Sequence, residues 1–217
     1  MHSIRLWRTG IPVPVAALFA VLFCANCGTS CAQSTVPQDL DLSTATEAHV
    51  EVIDVSNLAV PGNTYVAATL MSGSVQKLCS TIMNYSEYPQ FMPNTDKTTI
   101  VSTADGATVI EMTLGLPLGK IKKYRLKMMP AVTTEYCQLS WKQVPWEGLQ
   151  ASETIVDTAG YWQLTPYPKD KSKTLVKYYV FADPGPIPYG LGWIVDVMTR
   201  ISLPRTLEAL RERVAVK

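Results

Sequence analysis

Side chains that attack, exchange protons or hold metals are scarce in this chain. The histidines are His2 and His49. Once the first thirty or so residues are set aside, a serine or cysteine nucleophile has only His49 as a base. His49 sits in an alternating apolar–polar stretch, which is a strand pattern and not a catalytic one. No Cys-x-x-Cys, His-Glu-x-x-His or histidine cluster supplies zinc-ligand spacing. There is no phosphate loop and no Gly-x-Gly-x-x-Gly; Gly185, Gly190 and Gly192 flank prolines and a helix start, where they serve turn geometry. Glu111, Glu135, Glu153 and Asp157 fall on separate strand patterns or between them, without the spacing of an acid–base couple. The expectation is therefore no catalytic residue, no metal and no cofactor.

The chain is instead rich in soft and aromatic side chains. Met112, Met128 and Met198 join Tyr124, Trp141, Trp162, Tyr178 and Trp193 in otherwise apolar strand and helix patterns. Tyr85, Tyr88, Phe91 and Met92 add an aromatic face between Asn84 and Pro93. Methionine fits irregular shapes, and tyrosine or tryptophan places a polar tip on an apolar wall. An ordinary filled core uses the same residues. So does a pocket for a lipid or polycyclic molecule, which needs mostly apolar lining and few polar groups.

The elements that would position these residues follow from periodicity. Strands are expected at 47–55 and 64–70, then a helix over 72–83 with Val75, Leu78, Cys79 and Ile82 on one face. Residues 84–93 read as an aromatic plug at one end of a sheet. Strands follow at 98–103 and 107–114 around the Asp105-Gly106 turn, and at 120–129, stopped by Pro130. Further strands are expected at 132–141, 160–167 and 174–182. On the 120–129 strand, Lys122, Tyr124, Leu126 and Met128 share one face, with Lys123, Arg125 and Lys127 on the other. In the last strand, Val176, Tyr178 and Val180 share a face. The turn Asp183-Pro184-Gly185-Pro186-Ile187-Pro188 then leads into a helix running almost to Lys217. Its seam is expected at Leu191, Ile194, Met198, Ile201, Leu203, Leu207, Leu210 and Val214. Pro204 predicts a kink near residues 200–204. Antiparallel strands between a short early helix and a long final one make an α+β domain.

Residues 1–32 carry Arg5 and Arg8, then an apolar run from Ile11 to Ala25, then Ser30-Cys31-Ala32. That order is the pattern of a cleaved export signal, and the run is shorter than the ~20 residues a spanning helix needs. A lipoprotein anchor through Cys24, Cys27 or Cys31 ranks second. Residues 33–46 read as a linker and 47–217 as one domain. Removing the signal leaves 17 basic against 18 acidic residues, a net charge of −1, which argues against nucleic-acid binding. Cys79 and Cys137 remain. They read as two buried thiols, because free cysteine behaves as a small core hydrophobe; a disulfide between them is the competing reading.

Several motifs occur in a familiar order: Tyr85-x-x-Tyr88-Pro89-x-Phe91-Met92-Pro93, then Trp141, then Gly160-Tyr161-Trp162-x-Leu164-x-Pro166. Thr174-x-Val176-x-Tyr178, the proline-rich turn at 183–188 and Ser202-Leu203-Pro204-x-Thr206-Leu207-x-x-Leu210-Arg211 follow. Over about residues 63–214 the chain resembles the START-type lipid-binding and polyketide-cyclase-like proteins, the helix-grip (SRPBCC) superfamily. The resemblance implies a curved antiparallel sheet wrapped around a long C-terminal helix, with a hydrophobic tunnel between them. It also implies binding or carriage of lipids, sterols, quinones or polyketides, with cyclisation or dehydration in a minority. No catalytic residue carries over.

Ligand contacts are expected from Tyr85, Phe91, Met112, Tyr124, Met128, Trp141, Trp162, Tyr178, Trp193 and Met198. Pro186, Pro188 and Pro204 are expected to gate the tunnel. The first reading is an exported, monomeric carrier, periplasmic or secreted, whose partners are a hydrophobic small molecule or lipid and, transiently, a membrane. The second is a cyclase or dehydratase drawing on Arg125, Tyr124, Tyr178 and Glu111. The third is an envelope protein-interaction module.

Overall fold

The computed structural model describes residues 45–185 and 192–216, the stretch 192–200 as backbone only. Eight strands form one antiparallel sheet: β1 (Glu51–Asp54), β2 (Asn63–Ser72), β3 (Thr95–Ala104), β4 (Ala107–Leu116), β5 (Lys120–Val132), β6 (Cys137–Val144), β7 (Asp157–Tyr167) and β8 (Asp170–Asp183). Between β2 and β3 lie helix α1 (Val75–Met83), a single 3₁₀ turn (Tyr85–Glu87) and helix α2 (Tyr88–Phe91). The chain ends in helix α3 (Gly192–Val216). The strand order is β1-β2-β8-β7-β6-β5-β4-β3, a meander from β3 to β8 whose last strand pairs back onto β2. The sheet is curved. Register shifts in the β3–β4 ladder and near the β7–β8 turn are irregularities of the kind that bend and twist strands.

Most element boundaries sit within a few residues of those expected, and the departures have local causes. Helix α1 starts at Val75 because the Ser74 side chain caps it, accepting from the Lys77 backbone N–H at 3.2 Å. Strand β5 does not stop at Pro130 but runs on to Val132, with Pro130 opposite Leu139. The β4–β5 ladder ends at Met128, so Pro130 has a neighbour on one side only and its missing N–H is tolerated there. The β5–β6 turn therefore lies at 133–136, closed by Thr133 N–H donating to the Tyr136 carbonyl at 2.7 Å, and β6 begins at Cys137. The chain is tied to the sheet before residue 47: Ala45 is buried, and the Thr46 carbonyl accepts from Leu70 N–H and the Thr69 hydroxyl.

Burial follows strand alternation. Tyr124, Leu126 and Met128 on β5, Leu139 and Trp141 on β6, and Trp162 and Leu164 on β7 all belong to one core on the concave side. Leu203, Leu207, Leu210 and Val214 of α3 close over that core; their four-three-four spacing keeps them in one stripe. Ile201 was expected in the same stripe but is 45% exposed. Two residues back along a helix is a rotation of about 200°, which turns Ile201 away from Leu203. Two arginines fasten this half of α3. Arg211 donates to the Thr69 hydroxyl at 2.7 Å, and Arg213 pairs with Glu87 at 2.5 Å while lying 6.0 Å above the Phe91 ring.

Cys79 and Cys137 are joined in a disulfide, not left as two thiols. Packing α1 against β6 brings their Cα atoms to 6.0 Å, inside the range a disulfide spans. The bond closes a loop of sequence separation 58 and in the chain-entropy model contributes ~4 kcal/mol. Paired Cys79→Ser and Cys137→Ser substitutions should lower the unfolding free energy by about that amount, read from denaturant midpoints. Two titratable thiols in the native protein, or a midpoint insensitive to reductant, would contradict the assignment.

Candidate functional site

Strand registers bring one set of strand ends together. Asn63 of β2 faces Ala182 of β8, Asp183 faces Asp157 of β7, and Leu116 faces Lys120 across the β4–β5 turn. The opposite end holds Ser72, Lys173, Cys137 and the disulfide, so α1 is stapled to the sheet there. Between the two ends the concave side is not filled. A cavity of about 330 Å3 lies between the sheet and α3, at the lower end of the ~300–1,000 Å3 range of ligand pockets.

Met112 and Leu114 of β4, Tyr124, Leu126 and Met128 of β5, and Trp141 of β6 form one wall. Trp162 of β7 and Tyr178 and Val180 of β8 continue it, Tyr88 and Met92 close a flank, and Ser202, Leu203 and Thr206 of α3 form the roof. Tyr178 stacks on Trp141 with ring centres 5.4 Å apart and leans on Trp162 at 4.3 Å. Gly160 makes this aromatic wall possible. It lies opposite Trp141 in the ladder, and any Cβ there would collide with the Trp141 ring and the Tyr179 carbonyl oxygen.

Of the expected ligand contacts, Met112, Tyr124, Met128, Trp141, Trp162 and Tyr178 line the cavity. Tyr85 and Phe91 do not; the wall residues from their segment are Tyr88 and Met92, four apart and hence on one helical face. Tyr85 is buried in the core with its ring edge-on to Tyr88, and Phe91 sits beneath the Arg213 guanidinium. The side chains of Trp193 and Met198, with Pro186 and Pro188, lie outside the described residues. Pro204 lies within α3, which continues through it unbroken. Leu114, Leu126 and Val180 were not expected as contacts, yet each is two residues from one that was and shares its face. Ile155 comes from an irregular segment, and no period marks it.

Polar side chains also line the cavity, among them Asn63, Asn94, Thr95 and Ser202. Tyr88 donates its hydroxyl to the Ile82 carbonyl at 2.5 Å, Thr158 to Phe181 at 2.7 Å and Thr206 to Ser202 at 2.7 Å. Lys122 reaches the wall, but its ammonium donates to the carbonyls of Ser152 and Thr154 at 2.9 and 2.6 Å. Among the described residues the hydroxyls of Tyr124 and Tyr178 have no hydrogen-bond partner. Tyr178 keeps accessible surface because it faces the cavity. Burial raises the pKa of both phenols, and for Tyr178 the nearby Tyr124 adds to the effect. Burial likewise pushes Tyr88 well up and Tyr85 up to about 12. All four are neutral phenols at ordinary pH.

The charged candidates for catalysis lie elsewhere. Glu111 and Arg125 face each other across the β4–β5 ladder on the convex side, paired at 2.6 Å, with Arg125 5.4 Å over the Trp146 ring. His49 is exposed, 3.6 Å from Glu51. Among the described residues no group of three His, Cys, Asp or Glu side chains could hold a metal, and no helix is long and apolar enough to cross a membrane.

Comparison by sequence finds no matching protein family and no matching curated protein. Comparison by structure is informative. The chain is similar to a STAR-related lipid transfer protein from Xanthomonas axonopodis (TM-score 0.66, 17% identity, covering 76% of this chain and 93% of that one). Human StAR-related lipid transfer protein 5 is similar at TM-score 0.65, with 14% identity over 76% of this chain and 82% of the other. The Zhui aromatase/cyclase from Streptomyces sp. R1128 follows at TM-score 0.54, with 11% identity over 77% of this chain and 94% of the other. At these identities the likeness speaks for architecture alone, and the architecture is the START-type helix-grip fold.

Proposed function

We propose that this chain is an exported carrier that binds a hydrophobic ligand under α3 and passes it on at a membrane. The observation that carries this reading is the apolar cavity itself, built by an aromatic wall and holding no acid–base couple among its described residues. Enclosing a ligand there gains roughly 25 cal/mol for each Å2 of apolar surface removed from water. The disulfide supports export, because such bonds persist in oxidising compartments. So does the signal-like order of residues 1–32.

A cyclase or dehydratase reading draws on the likeness to the aromatase/cyclase. It lacks support in the cavity, since Glu111 and Arg125 lie outside it and phenols with raised pKa are poor proton donors or acceptors near neutrality. Native mass spectrometry of the chain purified without detergent from an oxidising compartment should show a bound small molecule, released by organic extraction. An empty protein that also fails to take up an apolar fluorescent probe would refute the carrier reading.

The route in and out is assigned to the end of the sheet opposite the disulfide. The β4–β5 connection, Pro117–Gly119, lies there between two cavity-lining residues, Leu116 and Lys122. Leu118 projects from it 75% exposed with φ of 63°, and Ile121 is 53% exposed. Lys120 and Lys123 flank them. A leucine and an isoleucine among lysines suit insertion into an anionic bilayer surface. Leu118→Asp should slow transfer from anionic vesicles about tenfold, the worth of one leucine leaving water, without weakening ligand affinity in solution. An unchanged transfer rate would remove the tip from the mechanism.

The α3 roof above the cavity is a weak stretch of helix. Pro204 cannot donate to the carbonyl of residue 200, and the Thr206 hydroxyl shares the Ser202 carbonyl, a bond that favours bending. Pro204→Ala should stiffen the roof by up to ~3 kcal/mol and slow ligand exchange severalfold in a stopped-flow fluorescent-lipid assay. Equal exchange rates would mean that the roof does not open there.

A further inference from the structure

We infer that the ligand is an uncharged, flat, ring-bearing molecule carrying a hydrogen-bond-accepting oxygen, and that Tyr124 and Tyr178 are the residues that select it. This rests on the carrier reading and narrows it.

Three observations lead there. First, the described wall offers no counter-ion. The ammonium of Lys122 is committed to two backbone carbonyls, and the Glu111–Arg125 pair is on the other side of the sheet. A charged head group brought inside would lose its hydration and meet no opposite charge among the described residues, an unfavourable transfer. Second, the wall is aromatic at one place. Tyr178 stacks on Trp141 with ring planes 27° apart and leans on Trp162 at 44°, and Gly160 clears the space that lets Trp141 lie there. Such rings favour offset or edge-on aromatic partners. Third, among the described residues Tyr124 and Tyr178 are the cavity phenols without a hydrogen-bond partner; Tyr88 is occupied by Ile82 and Tyr65 has an interaction of its own. A phenol in an apolar site needs a partner for its O–H. One carbonyl oxygen has two lone pairs and can accept from both. A site built this way prefers the molecule that completes its hydrogen bonds over the one that lacks the oxygen.

The consequence is a rank order within a matched set of small tricyclic probes: 9-fluorenone (carbonyl), fluorene (hydrocarbon) and fluorene-2-carboxylate (anion). Equilibrium dialysis against the mature, disulfide-bonded protein should find fluorenone bound about tenfold more tightly than fluorene, as two modest net hydrogen bonds require, with the carboxylate weakest. In Tyr124→Phe, Tyr178→Phe and the double variant, the fluorenone-to-fluorene ratio should fall stepwise toward one. The carbonyl stretch of bound fluorenone, lowered by hydrogen bonding in the native protein, should move back up in the double variant. Equal binding of fluorenone and fluorene by the native protein overturns the inference without needing any variant, and so does a carboxylate that binds best. A preference or a carbonyl shift that survives in the folded double variant overturns the assignment to these tyrosines. If none of the three probes binds, the carrier reading fails along with it.

Discussion

A sheet that curves around a helix must fill its concave side or stabilise an empty space there, and the position of α3 decides which. Its second half is locked down by Leu203, Leu207, Leu210 and Val214, by Arg211 on Thr69 and by Arg213 on Glu87 and Phe91. That clamp holds the part of α3 that carries the roof residues Ser202, Leu203 and Thr206. Each anchor also reaches a different element: β2 through Thr69, the 3₁₀ turn through Glu87 and α2 through Phe91. The cavity thus depends on contacts made away from it. Protein interiors otherwise pack to crystal-like density, so a void of this size persists only where the surrounding frame is independently stable.

The disulfide belongs to the same logic. It fixes α1 to β6 at the end of the sheet remote from the β4–β5 turn. Helix α1 then leads through Tyr85 and Tyr88 to Met92, so the stapled element continues directly into the flank of the cavity. The T-shaped contacts from Tyr85 to Tyr88 and from Tyr88 to Phe91 transmit that rigidity, each with ring centres 5.8 Å apart. One end of the molecule is therefore closed covalently. The other is bounded by turns, exposed apolar side chains and a helix segment weakened by Pro204.

Much of this was legible in the sequence, for definite reasons. Period-two alternation carries the wall, because a strand has only two faces and Tyr124, Leu126 and Met128 cannot share one without facing the same interior. The same rule put Arg125 on the other face, while its pairing with Glu111 came only with the β4–β5 register. Helical phase was harder to read. Ile201 and Leu203 are both apolar and near one another in sequence, but 200° apart around α3, and a hydrophobic count over the segment does not separate them. In the same way Tyr85, Tyr88, Phe91 and Met92 look equivalent until the turn between Asn84 and Tyr88 sets which pair looks inward. The cysteines failed for another reason. Each fits its own element as a buried small residue, and only the packing of α1 on β6, a contact across 58 positions, brings them together.

The same distinction bears on the chemistry. Of the acid–base candidates Glu111, Arg125, Tyr124 and Tyr178, strand alternation already set Arg125 on the face opposite Tyr124. The fold separates them by face: Glu111 and Arg125 pair with each other on the convex side, and the two phenols are turned inward. Putting charge inside would have required a partner with good geometry to offset desolvation. Putting phenols inside requires much less, because each brings a large apolar ring and leaves one O–H to be satisfied. An apolar site with two phenol O–H groups that lack a partner among the described residues gains specifically from an acceptor, which suits the carrier role proposed for it.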